Sequence, residues 1–210
     1  TIDGNLQYNC VTDNQGNAQS TMLMPSSGKW YFEAEVISNA NFTMGIIPDY
    51  WLWDQNPHSV AGTITYQAAL GKKTTNAGEE NYGSACDAGN IAAAAVDMDE
   101  KTVTFYKDNT SQGTLAIPSG YSSDTEFYFT ITGGTGSATV QGYANFGAGG
   151  FEYTPPTGFR ALWARNRATP IPSGIVKPQR HFECLTYTGN GSNGNKITGL
   201  EFKPDLVWFK

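Results

Sequence analysis

Ile91-Ala-Ala-Ala-Ala-Val96 is an apolar run of strand length, closed by a turn at Asp97–Lys101 that contains two aspartates. Aspartate side chains bond their own backbone and initiate turns, so this cluster reads as a reversal of the chain. Thr102–Lys107 then resumes with β-branched and aromatic residues. Alternation puts Val103 and Phe105 on one side of that strand and Thr102, Thr104 and Tyr106 on the other. Lys107-Asp108-Asn109 breaks the run again, and Gly113 is predicted to open a third short strand.

No window elsewhere sustains a helical period over three turns. Gly 24 and Pro 10, with many Thr and Asn, punctuate the 210 residues with turns, so the fold class is all-β. A chain 39% hydrophobic and 15% charged has material for one substantial domain plus a remainder. Its core is expected to be aromatic, since Tyr 11, Phe 11 and Trp 5 are present and each buried ring removes roughly 150–250 Å² from water. A net charge of −6 argues against nucleic acid, whose footprint is a basic stripe, and against a polybasic membrane patch. No apolar run approaches the ~18 residues of a membrane-spanning helix. Cys10, Cys86 and Cys184 are widely separated and read as buried free thiols. His58 and His181 lack a second ligand at metal spacing, and no phosphate loop or dinucleotide fingerprint is present. Neither a metal nor another cofactor is expected.

Along the chain, Asn5–Cys10 and Gln19–Met24 are candidate edge strands around a turn at 13–17. Trp30–Ile37 alternates strongly: Trp30, Phe32, Ala34 and Val36 face one way, Tyr31, Glu33, Glu35 and Ile37 the other. Phe42–Ile47 follows as its partner. Residues 48–85 are weakly patterned, with a possible strand at Gly62–Ala69 and an exposed loop at Gly71–Gly83. So long an irregular run in a compact domain is often functional. Phe127–Thr132 and Ala138–Asn145 read as further strands.

Three separated motifs, in order, resemble SPRY-type domains. They are Ser27-Gly-Lys-Trp-Tyr-Phe-Glu-Ala-Glu-Val36 with the Gly-centred strand after it, the Val96-Asp-Met-Asp to Gln112-Gly113 region, and Asn145-Phe-Gly147 with Phe151 to Phe159. The resemblance covers roughly residues 1–163 and implies an antiparallel β-sandwich of the concanavalin-like class. Thr110 stands where the family has Gly after Asn, which predicts a turn longer than two residues. Residues 164–178, with Pro170, Pro172 and Pro178, read as a Pro-rich extended linker. Residues 179–210 are similar to the opening strands of a β module of bacteriophage tail fibres and other virion surface proteins. Tyr187-Thr-Gly-Asn-Gly191 and Ile197-Thr-Gly-Leu-Glu-Phe-Lys-Pro-Asp-Leu-Val-Trp208 carry that likeness. The last residues read as the middle of a strand, so the second module is expected to be partial and the polypeptide longer.

Several residues carry possible chemistry. Glu33 and Glu35 are two apart on one strand, placing their carboxylates on one face roughly 6–7 Å apart, as paired acids in glycan hydrolysis are. The other reading is a solvated or locally paired strand face, and it is adopted because Tyr31 and Ile37 supply no further acid. Asp97, Asp99 and Glu100 offer oxygen ligands for a hard cation; the family's turn is ordinarily structural. Tyr50, Trp51 and Trp53 beside Asp49 and Asp54 suit stacking on a sugar ring or anchoring a protein partner, or else packing beneath the loop. Tyr66, Asn76 and Tyr82 are placed on the same candidate surface.

The resemblances imply a non-enzymatic virion protein, a tail fibre or related appendage. Its expected partners are other virion proteins and a host cell-surface glycan or protein receptor, its expected state is a homo-oligomer, a homotrimer as in related fibres, and its expected location is the virion. A SPRY-type peptide-binding module outside a virion and a glycan-active lectin-like enzyme are the alternatives.

Overall fold

A computed structural model describes residues 6–10, 16–39, 41–50, 61–75, 78–118, 125–133, 140–163, 166, 184–194, 198–199 and 206–207. The strands in chain order are β1 (Leu6–Cys10), β2 (Gly16–Gln19), β3 (Lys29–Asn39), β4 (Thr43–Pro48), β5 (Ile64–Gln67), β6 (Lys72–Thr75), β7 (Gly78–Asn81), β8 (Ile91–Asp97), β9 (Thr102–Lys107), β10 (Thr110–Ala116), β11 (Phe127–Gly133), β12 (Val140–Asn145) and β13 (Arg160–Ala161). Among the described residues there is no α-helix. One sheet runs β1-β12-β3-β8-β9-β10, and the second runs β2-β11-β4-β5-β6-β7. All of these pairings are antiparallel; β13 lies parallel to β3 at Trp30 and Tyr31.

The alternation in β3 explains how the sheets stack. Trp30, Phe32, Ala34 and Val36 are fully buried between the sheets, where Phe32 meets Phe129 of β11 at 4.1 Å between ring centroids. Ala92, Ala94 and Val96 of β8 and Val103 and Phe105 of β9 extend that inner face. The opposite face of β3 is not solvated along its length. Tyr31, Ala93 and Ala95 form a second cluster with Phe151 and Phe159 from the C-terminal part of the sandwich. Phe151 meets Tyr31 edge-on at 4.8 Å, a favoured aromatic geometry. The four alanines of β8 are thus buried on both faces, and larger side chains at Ala93 and Ala95 would displace the rings above them.

Several expectations needed correction. β1 and β2 are edge strands, one in each sheet, but β2 (Gly16–Gln19) takes in Gly16 and Asn17, read as part of a turn, and Met24 makes only an isolated bridge to Phe127. Gly71–Gly83 is not an exposed loop: β6 and β7 form a hairpin there, with Lys73 opposite Glu80. The β9–β10 connection is a two-residue turn, because Thr110 pairs with Lys107. Asp108 (φ 44°) and Asn109 (φ 63°) both take the left-handed conformation that such a turn needs. These short polar side chains tolerate it, so the glycine of the family pattern is dispensable. β10 begins at Thr110, with a bulge between Ser111 and Gly113. Cys86 is buried and Cys184 exposed.

The chain divides into two compact units, Thr1–Ala168 and Thr169–Lys210. In the second unit, residues 184–194, 198–199 and 206–207 form turns and irregular backbone without a strand ladder. Pro170, Pro172 and Pro178 lie outside the described residues, as does much of the expected second module.

Candidate functional site

β4 ends and β11 begins at the same end of the second sheet. Pro48 is paired with Phe127, and Ile46 with Ile64 at the start of β5, so the 49–63 connection leaves and returns at one end of the second sheet. Its base is fastened twice. The Asp49 N–H donates to the Glu126 carbonyl at 2.9 Å, and the Tyr50 hydroxyl donates to the Ala61 carbonyl at 3.0 Å. The 98–101 turn of the first sheet is tied toward this end, since Lys101 Nζ reaches the carbonyl of Ser26, two residues after Met24, which bridges Phe127 at the start of β11. Tyr50 is 51% exposed, more than any other described aromatic ring. A half-exposed ring held by its hydroxyl is a ready contact surface. Trp51, Trp53, Asp54 and Asn76 lie outside the described residues.

Tyr66 and Tyr82 do not join Tyr50 on a surface. Tyr66 is wholly buried, because position 66 faces inward on β5. Its ring lies 5.7 Å from both Tyr82 and Phe105, and its hydroxyl donates to the Ser84 carbonyl beside the Cys86 thiol. Burial raises the Tyr66 pKa above the usual phenol range, and the nearby Cys86 adds to the shift. Burial likewise pushes the Cys86 thiol up, against the pull of the Tyr66 hydrogen bond. Tyr82 is partly buried against the core, with its hydroxyl donating to the Gly113 carbonyl of β10. These two tyrosines are packing residues.

The acidic turn is occupied by its own backbone. Asp97 Oδ1 accepts from the N–H groups of Asp99 and Glu100 at 3.1 and 3.0 Å, while Oδ2 pairs with Lys29 Nζ at 2.7 Å. Burial works against ionisation of Asp97, but the Lys29 hydrogen bond and the turn N–H groups outweigh it and hold the carboxyl below its ordinary value. Asp99 Oδ1 accepts the Gly28 N–H at 2.8 Å. The oxygens a cation would need at Asp97 are already engaged.

Glu33 has a role that strand alternation does not reveal. It is 1% exposed, and its carboxylate accepts four hydrogen bonds. The donors are the Tyr31 hydroxyl (3.0 Å), Asn145 Nδ2 (3.4 Å), and the N–H groups of Glu152 (2.8 Å) and Tyr153 (3.0 Å). The locally paired reading of this face therefore applies at Glu33. Its carboxylate pins the 150–153 segment across the outside of β3, with Phe151 packed beneath. Glu35, two residues on, is only partly buried. One clue in the sequence is the Tyr31–Glu33 pair on one face, a donor and acceptor two residues apart beside a run of alanines that leaves room for a covering segment.

No protein-family model matches the sequence, and no curated protein does. Solved structures do match in fold. A human SPRY domain shares 18% identity over 69% of this chain and 93% of its own, with a TM-score of 0.53. The SPRY domain of human HERC1 shares 18% identity over 63% of this chain and 81% of its own, with a TM-score of 0.49. The sandwich has the SPRY fold. Its two antiparallel sheets are the concanavalin-like arrangement that the three motifs imply.

Proposed function

We propose that this chain is a non-enzymatic binding and structural protein of a bacteriophage virion, part of a tail fibre or related appendage. The loop end around Tyr50 meets a host-surface glycan or protein receptor, or a neighbouring virion protein. The observation that carries the non-enzymatic reading is the state of Glu33. A carboxylate accepting four hydrogen bonds, two of them from backbone N–H groups, serves as a structural acceptor and has no free oxygen for proton transfer to a glycosidic bond. The virion context is supported by the likeness of residues 187–208 to phage fibre modules. The SPRY fold equally supports a second reading, a peptide-binding module outside a virion, since such sandwiches present loops from a rigid scaffold.

Binding of the purified chain to a panel of glycans and host-envelope proteins, with Tyr50→Ala alongside, tests the surface. The expected result is saturable binding that weakens at least tenfold in the variant. Peptide mapping of purified virions tests the context, and absence of the chain from the particles removes the virion role. Glu33→Gln is expected to destabilise the sandwich by roughly 1–3 kcal/mol, because an acceptor is replaced by a donor facing other donors. Sugar release by the wild type that this substitution abolishes, in protein still folded, would overturn the non-enzymatic reading.

A further inference from the structure

The sandwich has two edge sides, and among the described residues only one carries protection against further strand pairing. β7, at one edge of the second sheet, carries Glu79 and Glu80, salt-bridged to Lys72 and Lys73 of β6. Beside it, β10 is interrupted by its bulge and tied to the incoming chain by Tyr82 and by the Ser84 N–H, which donates to Gln112 Oε1 at 2.7 Å. Charges, bulges and covering segments are the means by which edge strands avoid pairing with other chains.

Among the described residues the opposite side shows none of these. β1 (Leu-Gln-Tyr-Asn-Cys) and β2 (Gly-Asn-Ala-Gln) contain no charged residue and no proline. Each is in regular register with one neighbour, β12 or β11, and among the described residues no strand pairs with its outer edge. Gln7, Asn9, Ala18 and Gln19 are exposed. Between the two edges lies a hollow of about 70 Å³ whose apolar wall includes Tyr8, Phe32, Phe129, Ile131 and Phe146.

We propose that this side is a self-association surface, on which a second copy of the chain seats about a twofold axis normal to the sheets. A single extended peptide would satisfy one edge and leave the other unpaired. A partner that satisfies both must present two edges at the ~10 Å spacing of stacked sheets, and a second copy of this sandwich does. A twofold axis normal to the sheets sets β1 antiparallel to its own copy. Passing through both layers, the same axis does so for β2. Such an interface is isologous, so a charge near the axis would face its own like. β1 and β2 place none there, whereas the Glu79–Glu80 edge would. The surface is independent of the virion role, since any protein with these edges carries it.

Sedimentation of the full chain at micromolar concentration is expected to give twice its 22.7 kDa mass. The double variant Asn9→Lys and Ala18→Lys puts like charges at the axis and should raise the dissociation constant at least a hundredfold. Ala116→Lys, an exposed position on β10, should leave the mass at two chains. A wild type that stays monomeric, a trimer, or a dimer indifferent to the double variant overturns the proposal. Should the double variant fail to fold, hydrogen exchange on the wild type decides. Protection of β1 and β2 amides that rises with protein concentration supports the surface, and protection independent of concentration overturns it.

Discussion

The two open sides of the sandwich are built from the same kind of strand yet are finished differently. On the β7/β10 side, the chain leaving β7 runs along β10 toward β8, and its residues join the layers. Tyr82 bonds the Gly113 carbonyl, the Ser84 N–H bonds Gln112, and Tyr66, Tyr82 and Phe105 form an aromatic cluster at 5.7–6.2 Å between centroids. On the β1/β2 side, Phe32, Phe129 and Phe146 form a comparable cluster at 4.1–6.3 Å, but a hollow remains beside it and both edges end in neutral strands. The difference teaches that aromatic content alone does not close a sandwich. Closure comes from a segment that crosses between the layers and brings polar groups to both.

The largest effect is expected where that closure is anchored. Tyr66→Ala removes a fully buried ring that touches the cluster and the 82–86 segment, so it should destabilise the protein by about 3–5 kcal/mol, the range for large aromatic truncations. Denaturant unfolding measures this, and hydrogen exchange locates it. Amides of β7 and β10 should lose protection by more than those of β1 and β2. An equal loss on both sides would mean that the two sides unfold as one unit and that the comparison has no energetic content.

A smaller effect comes from the Tyr82 hydroxyl. Burial of this phenol, opposed by a backbone hydrogen bond with Phe105, pushes its pKa up to about 12. A group whose folded pKa lies above the unfolded value of ~10 contributes stability that is complete below pH ~10 and lost as the pH rises through the folded value. The β7/β10 side should therefore loosen between pH 10 and 12. In Tyr82→Phe this alkaline loss should be shallower, and the variant should already be about 0.5–1.5 kcal/mol less stable at neutral pH, the ordinary worth of one hydrogen bond. A pH titration of the denaturation midpoint for the two proteins gives both quantities. Identical alkaline slopes would remove Tyr82 from the account.

Much of this architecture was legible in sequence. The alternation of Trp30–Ile37 assigned the inner face of β3, and Ile91–Val96 and Thr102–Lys107 fell within observed strands. Alternation says which residues share a face but not what covers it, so the burial of Glu33 beneath residues 150–153 escaped notice. The β6–β7 hairpin was missed because Lys-Lys-Thr-Thr and Gly-Glu-Glu-Asn carry no apolar period. Its signal lay in the charges: lysines at 72 and 73 stand a hairpin's length from glutamates at 79 and 80, and opposite charges across strands stabilise the pair. Tyr66 looked like a surface ring for a related reason. Its strand was read only as possible, so its inward parity went unused. For Tyr50 the structure bears only on position: it follows the end of β4 and is exposed, as a ring beside acids after a strand is expected to be.

The smallest expected effect probes the unclosed side and has the opposite sign. Ala144 of β12 is nearly buried and borders the hollow. Ala144→Val adds two carbons next to unfilled space and suits a strand, so it should be neutral or stabilise the protein by up to ~1 kcal/mol, at about 0.8 kcal/mol per buried methylene. The same kind of enlargement on the closed side meets matter instead. A Cβ at Gly83 would lie 2.6 Å from Gln112 Oε1 and 2.9 Å from its Cβ, so Gly83→Ala must displace the side chain that holds the Ser84 N–H. Equilibrium unfolding of the two variants side by side therefore reads packing on each side directly. If Ala144→Val destabilises as much as Gly83→Ala, the β1/β2 side is as tightly filled as its counterpart and the hollow is not available space.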